Sequence, residues 1–175
     1  MCLVVLTGLE PVGPREGRNM ARNRMIKPGI WTNFELGTLP IPARLLFIGL
    51  ISLADDEGRG RAEARLLRAS FFAFDDITVD EVLQCMDMLD LAHFIYRWTD
   101  ARGREYYLLP TWKRHQRIDR PRPSEIELPP FEELPEWVQA TLAGAEADVD
   151  AWALGAEQRQ RAAAKAARRA GGKKM

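Results

Sequence analysis

Histidine and cysteine are scarce in these 175 residues: His93 and His115 are the only histidines, Cys2 and Cys85 the only cysteines. Two cysteines make neither a disulfide framework nor a four-ligand zinc site, which points to a reduced, cytoplasmic protein. A Gly-rich phosphate loop, a nucleophile elbow and any close Ser/His/Asp or Cys/His grouping are missing as well. A non-catalytic protein without metal or cofactor is therefore expected. No apolar run approaches the ~20 residues that a membrane span requires, so a membrane partner is not expected either. The length suits one domain with tails or two very small ones, and excludes a large barrel enzyme.

Net charge is also lacking, 25 basic side chains balancing 25 acidic ones, but the two signs are segregated. From Pro123 to Gln158 there are nine acids and no Lys or Arg, whereas Arg159 to Lys174 holds seven bases and no acid. Lys113, Arg114, Arg117, Arg120 and Arg122 outnumber Asp119 between Trp112 and Arg122, and Arg15, Arg18, Arg22, Arg24 and Lys27 dominate the front. Blocks of this kind mark either solvated tails or polyanion contacts.

Residues 1–23 read as a flexible leader or start-site extension. Cys2–Leu6 is too short for a signal-peptide core, and Met20 opens a second plausible reading frame start. Folded sequence is expected over 24–118. Trp31-Thr32-Asn33 precedes a short turn at Phe34, Leu36 and Leu39; Pro42 then opens a helix over Ala43–Ala54 that is apolar almost all round and belongs at the centre of a core. Asp55-Asp56-Glu57-Gly58-Arg59-Gly60 stops it. A second helix is predicted from about Arg61 to Phe71. A third starts at a capping box, Thr78 with Glu81, and runs to about Leu91. The period then shortens to about 2: His93–Trp98 and Arg104–Leu109, either side of Thr99-Asp100-Ala101-Arg102-Gly103, read as a hairpin.

Three helices followed by a two-stranded wing is the order of a winged helix-turn-helix, an α+β fold that is mainly α. Residues 119–135, with Pro121, Pro123, Pro129, Pro130 and Pro135, read as a stiff linker. Residues 136–175 read as an Ala-rich, acidic-then-basic extension, helical and partly disordered.

Within that outline, Arg24-Met25-Ile26-Lys27-Pro28-Gly29-Ile30-Trp31-Thr32, Ala43-Arg44-Leu45-Leu46-Phe47-Ile48-Gly49-Leu50 and Ala54-Asp55-Asp56-Glu57-Gly58-Arg59 resemble the start of phage-type winged-helix proteins, namely the N-terminal domain of phage replisome organisers and DnaD-like replication initiation proteins. The hairpin followed by Trp112-Lys113-Arg114-His115-Gln116-Arg117 and Pro123-Ser124 fits the same pattern, so the resemblance covers Arg24 to Pro130. Asn33 and His93 depart from it, standing where an Asp and a Gly are expected. The resemblance implies DNA binding in replication initiation or helicase loading inside a bacterial host cell, with duplex or single-stranded DNA and a replicative helicase or its loader as partners. Winged helices also serve as protein adaptors or transcriptional regulators, and these alternatives stay open, as does self-association.

The third helix is a poor groove reader. Six acids and no Lys or Arg lie between Asp75 and Tyr96. Positive surface is expected instead on one face of the second helix (Arg61, Arg65, Arg68), at the wing (Arg102, Arg104) and on the arm (Lys113, Arg114, His115, Arg117, Arg120), all toward backbone phosphates. The competing reading pairs Arg65 and Arg68 with third-helix acids. Trp112, beside the arm, is the candidate for base stacking; Trp31 and Trp98 are expected to pack, and Cys85 to be buried and inert. The acidic 123–158 segment lying over the arm would make binding autoinhibited.

Overall fold

The computed structural model describes residues 23–145. Residues 1–22 of the expected leader and 146–175 of the expected extension, with its acidic-to-basic switch, lie outside the described residues. About half of the described residues are helical, and three short strands make an antiparallel sheet, so the fold is α+β.

A 3-10 turn over Pro28–Thr32 leads into α1 (Phe34–Thr38), whose first turn is capped by the Asn33 side chain accepting from the Leu36 N–H at 2.8 Å. An Asp carboxylate would accept the same bond, and Asn is itself among the preferred N-cap residues. Pro40 and Pro42 bracket the start of α2 (Ile41–Leu53), where a missing N–H costs nothing. After Ala54 the Asp55 carboxylate accepts from the N–H groups of Glu57 and Arg59, both at 2.9 Å, and Gly58 turns through φ +81°.

That turn reverses the chain into β1 (Arg59–Arg61), which pairs with the later hairpin. The helix expected from Arg61 therefore begins only at Ala64, as α3 (Ala64–Phe71). Arg61 stands on a strand opposite Tyr106, and does not share a helical face with Arg65 and Arg68. Three residues around a glycine carry no apolar alternation, and only their backbone pairing with the hairpin makes them a strand.

The Thr78–Glu81 capping box is formed in both directions at the start of α4 (Val79–Leu91). His93 then adopts φ +59°, the left-handed conformation that a Gly enters most readily. The hairpin follows as β2 (Tyr96–Thr99) and β3 (Glu105–Leu108), giving the strand order β1-β3-β2. Its tip is held by Asp100, which accepts from the N–H groups of Arg102 and Arg104.

The sheet has two differently covered faces. Tyr107, opposite Gly60 and Arg97, points into the main core with Leu46, Leu50, Leu67, Phe72, Val82, Met86, Leu89 and Ile95 from α2, α3 and α4. Arg59, Arg61, Tyr96, Trp98, Tyr106 and Leu108 share the other face by alternation. There Leu108 meets Leu134 and Val138 in a second cluster flanked by Tyr96, Trp98, Leu128, Trp137 and Leu142. Val138, Trp137 and Leu142 come from a short helix, α6, described over 136–145, and Leu128 and Leu134 from the segment before it, which follows α5 (Trp112–His115) and includes a 3-10 turn at Phe131–Glu133.

The stretch expected to be a linker is thus extended but packed. The Arg122 N–H donates to Asp56 at 3.0 Å, the Ser124 hydroxyl donates to Asp55, and Arg59 donates to the Ile126 carbonyl at 2.5 Å. Prolines remove competing backbone donors and hold the chain straight along the edge of the domain. Trp31, expected to pack, stands out in solvent instead, as does Phe34. Cys85 is buried, and burial raises its thiol pKa, as expected of an inert residue. Among the described residues no helix is long and apolar enough to cross a membrane.

Candidate nucleic-acid interface

The arm begins at a buried anchor. Trp112 lies in the main core, its indole N–H donating to the Asp56 carbonyl at 2.9 Å and its ring covered by the Arg24 guanidinium at 5.2 Å. Even the Gly58 turn depends on it, since a Cβ there would stand 2.6 Å from the indole. Trp112 therefore does not offer a stacking face to a nucleobase. It holds the rest of α5 in place.

With Trp112 pointing inward, one turn of helix presents Lys113, Arg114 and His115 outward, and Arg117 follows on the exposed side. The arm is clasped to the chain's entry segment. Gln116 accepts from the Met25 N–H at 2.9 Å and donates to the Met25 carbonyl at 2.8 Å, while the Lys27 ammonium donates to the Arg114 carbonyl at 2.7 Å. Lys27, one of the front bases in sequence, thereby joins the arm. The convergence is visible in His115, whose pKa is lowered first by burial and then by the charges of Lys27 and Arg114. Arg120 closes the arm at φ +55°, exposed. On its far side Arg114 abuts α6, where a Cβ on Gly144 would stand 2.7 Å from the guanidinium.

The other predicted cations are scattered. Arg61 and Arg104 meet across Tyr106, their guanidinium carbons 5.5 and 5.7 Å from its ring centre, but each is also paired, Arg61 with Glu63 and Arg104 with Asp100. The N–H bonds and the Arg104 charge hold Asp100 at a pKa of about 2, so its negative charge persists at every physiological pH. Arg102 projects from the wing tip. Arg68 turns inward to donate to the Ile77 carbonyl at 2.8 Å, and Arg65 stays exposed on α3. Neither forms the predicted ion pair with α4. The acids Asp87 and Asp90 are held instead by Arg97 of β2.

Of the predicted residues, Lys113, Arg114, His115 and Arg117 are brought together, with Arg120 just beyond. Chemically the arm can bind an anion by charge and by N–H donation. Among the described residues no group of His, Cys, Asp and Glu has the arrangement to hold a metal, and the Asp55-Asp56-Glu57 carboxylates are spent on backbone N–H groups, Arg24 and Arg59. No family model, curated protein or solved structure matches the chain.

Proposed function

We propose that this is a non-catalytic, winged-helix DNA-binding protein of phage type whose arm grips backbone phosphates. The observation that carries the reading is the clasp of the entry segment onto α5, which gathers Lys27, Lys113, Arg114 and His115 on a rigid, Trp112-anchored turn. Fixing cations in advance lowers the side-chain entropy lost on contact, and contacts to phosphate are insensitive to base sequence. The order of three helices, a strand between the first and second of the core helices, and a hairpin supports the winged-helix reading. A role in replication initiation or helicase loading rests on the resemblance of Arg24 to Pro130 and is the finer part of the proposal.

The test is fluorescence anisotropy of the full chain with random duplex and single-stranded oligonucleotides across a salt series. Binding that weakens with salt is expected, with the slope reduced by about 0.9 per phosphate contact removed on duplex when Lys113, Arg114 and Arg117 are changed to Ala. Absence of binding to either form at low salt overturns it.

A second reading is favoured by α4, whose exposed stripe of Asp80, Gln84, Asp87 and Leu91 suits a basic protein partner better than DNA. An adaptor of this kind would bind its partner undisturbed by the arm substitutions.

A further inference from the structure

α2 carries two apolar stripes, and the described residues cover only one. Ala43, Leu46 and Leu50 recur at three- and four-residue steps on the buried side. Ile41, Leu45 and Ile48 recur by the same steps on the opposite side, where Ile41 is 70% and Leu45 46% exposed. Immediately upstream, Trp31 is 73% and Phe34 85% exposed. A helix apolar on all sides is stable in water only when both sides are covered. With an aromatic side chain presenting ~150–250 Å² and an aliphatic one somewhat less, these four expose about 500 Å² in one protomer. Two such faces together reach roughly 1,000 Å², where specific interfaces begin.

We propose that this face is the interface of a homodimer, with a second copy of the chain seated on it by a two-fold axis. The charge pattern selects that occupant. A two-fold contact sets a patch against itself. The arm would set Lys113, Arg114 and Arg117 against the same cations, and α4 would set Asp80, Glu81 and Asp87 against the same anions. Between Pro28 and Ala54 only Glu35 and Arg44 are charged, and they have opposite signs. This face meets itself without repulsion. It offers nothing to a strongly charged partner, the chain's own 146–158 acids and 159–174 bases included. The inference does not depend on the nucleic-acid reading.

The experiment is sedimentation equilibrium of the full chain through the micromolar range, with circular dichroism confirming the fold of each variant. The wild type is expected at twice the chain mass. Ile41→Glu with Leu45→Glu halves that mass, and so does Trp31→Ser with Phe34→Ser, a pair outside α2 that leaves the helix itself untouched. Leu91→Glu, which charges the exposed apolar residue of α4, leaves the dimer intact. A wild type of monomer mass throughout overturns the proposal, as does a dimer that survives both double substitutions or one that Leu91→Glu also dissociates.

Discussion

Gly60 and Tyr107 face each other across the β1–β3 pair so closely that a Cβ on Gly60 would stand 2.4 Å from the Tyr107 hydroxyl oxygen. The ring is fully buried, and its hydroxyl donates to the Leu50 carbonyl at 2.8 Å, tying β3 to α2. A side chain locked in this way does not swing aside for a new methyl group. Gly60→Ala is expected to destabilise the domain by about 1–3 kcal/mol, the usual cost of overpacking. Urea unfolding reads this as a lower midpoint at unchanged slope; an unmoved midpoint means that the ring yields.

Arg24 and Asp56 form a buried ion pair, each side chain only 6% exposed, 3.1 Å apart. Arg24 also donates to the Ala54 carbonyl at 2.7 Å, and Asp56 accepts from the Arg122 N–H. Removing one partner leaves a charge in the interior, so Arg24→Met is expected to cost about 3–5 kcal/mol. Adding Asp56→Asn to it should return part of that loss, because the stranded charge is gone. Thermal unfolding of the two single variants and the double variant gives the coupling, and strict additivity would show that the two do not act as a pair.

Trp137 holds α6 to the sheet. Its ring stacks on His93 at 4.1 Å between centres and 8° between planes, and meets Tyr96 edge-on at 6.5 Å. The Leu108, Leu134 and Val138 cluster that it flanks is separate from the main core. Trp137→Ala is therefore expected to open the outer layer and spare the inner one. Hydrogen exchange should rise over 134–145 by tenfold or more while α2 and α4 keep their protection. A uniform rise across the domain would mean that the two clusters unfold as one unit.

How far the sequence revealed this arrangement follows from the range of the forces involved. Local chemistry was legible: the capping box at Thr78 and Glu81 and the hairpin around Gly103 both act within a few positions. β1 was not legible, because Arg59-Gly60-Arg61 becomes a strand only by pairing with residues more than forty positions later. The burial of Trp112 is hidden for the same reason. A tryptophan beside Lys-Arg-His reads as a stacking platform until Asp56 and Arg24 close over it. The apolar character of α2 was plain, but which of its sides would be covered was not. The arm was the part of the candidate site most visible in sequence, since its charges are contiguous, whereas Lys27 enters it only through the bond to Arg114.

His115 makes the proposed phosphate contact dependent on pH. In the free protein burial, Lys27 and Arg114 all oppose its protonation and lower its pKa below the ordinary imidazole value of about 6.5. A phosphate set against the arm adds a negative charge and reverses the electrostatic part of that shift, so the bound-state pKa lies above the free one. Binding then takes up a proton: the added affinity is complete below the free pKa and is lost as pH rises through the bound one. Affinity for duplex DNA is expected to increase several-fold from about pH 7.5 to about pH 5.5 at fixed salt, by less than tenfold per pH unit since one proton is involved. His115→Gln keeps hydrogen-bonding capacity without titrating and should flatten the profile. Anisotropy titrations of both proteins decide the matter, and a slope that persists in the variant places the proton on another group.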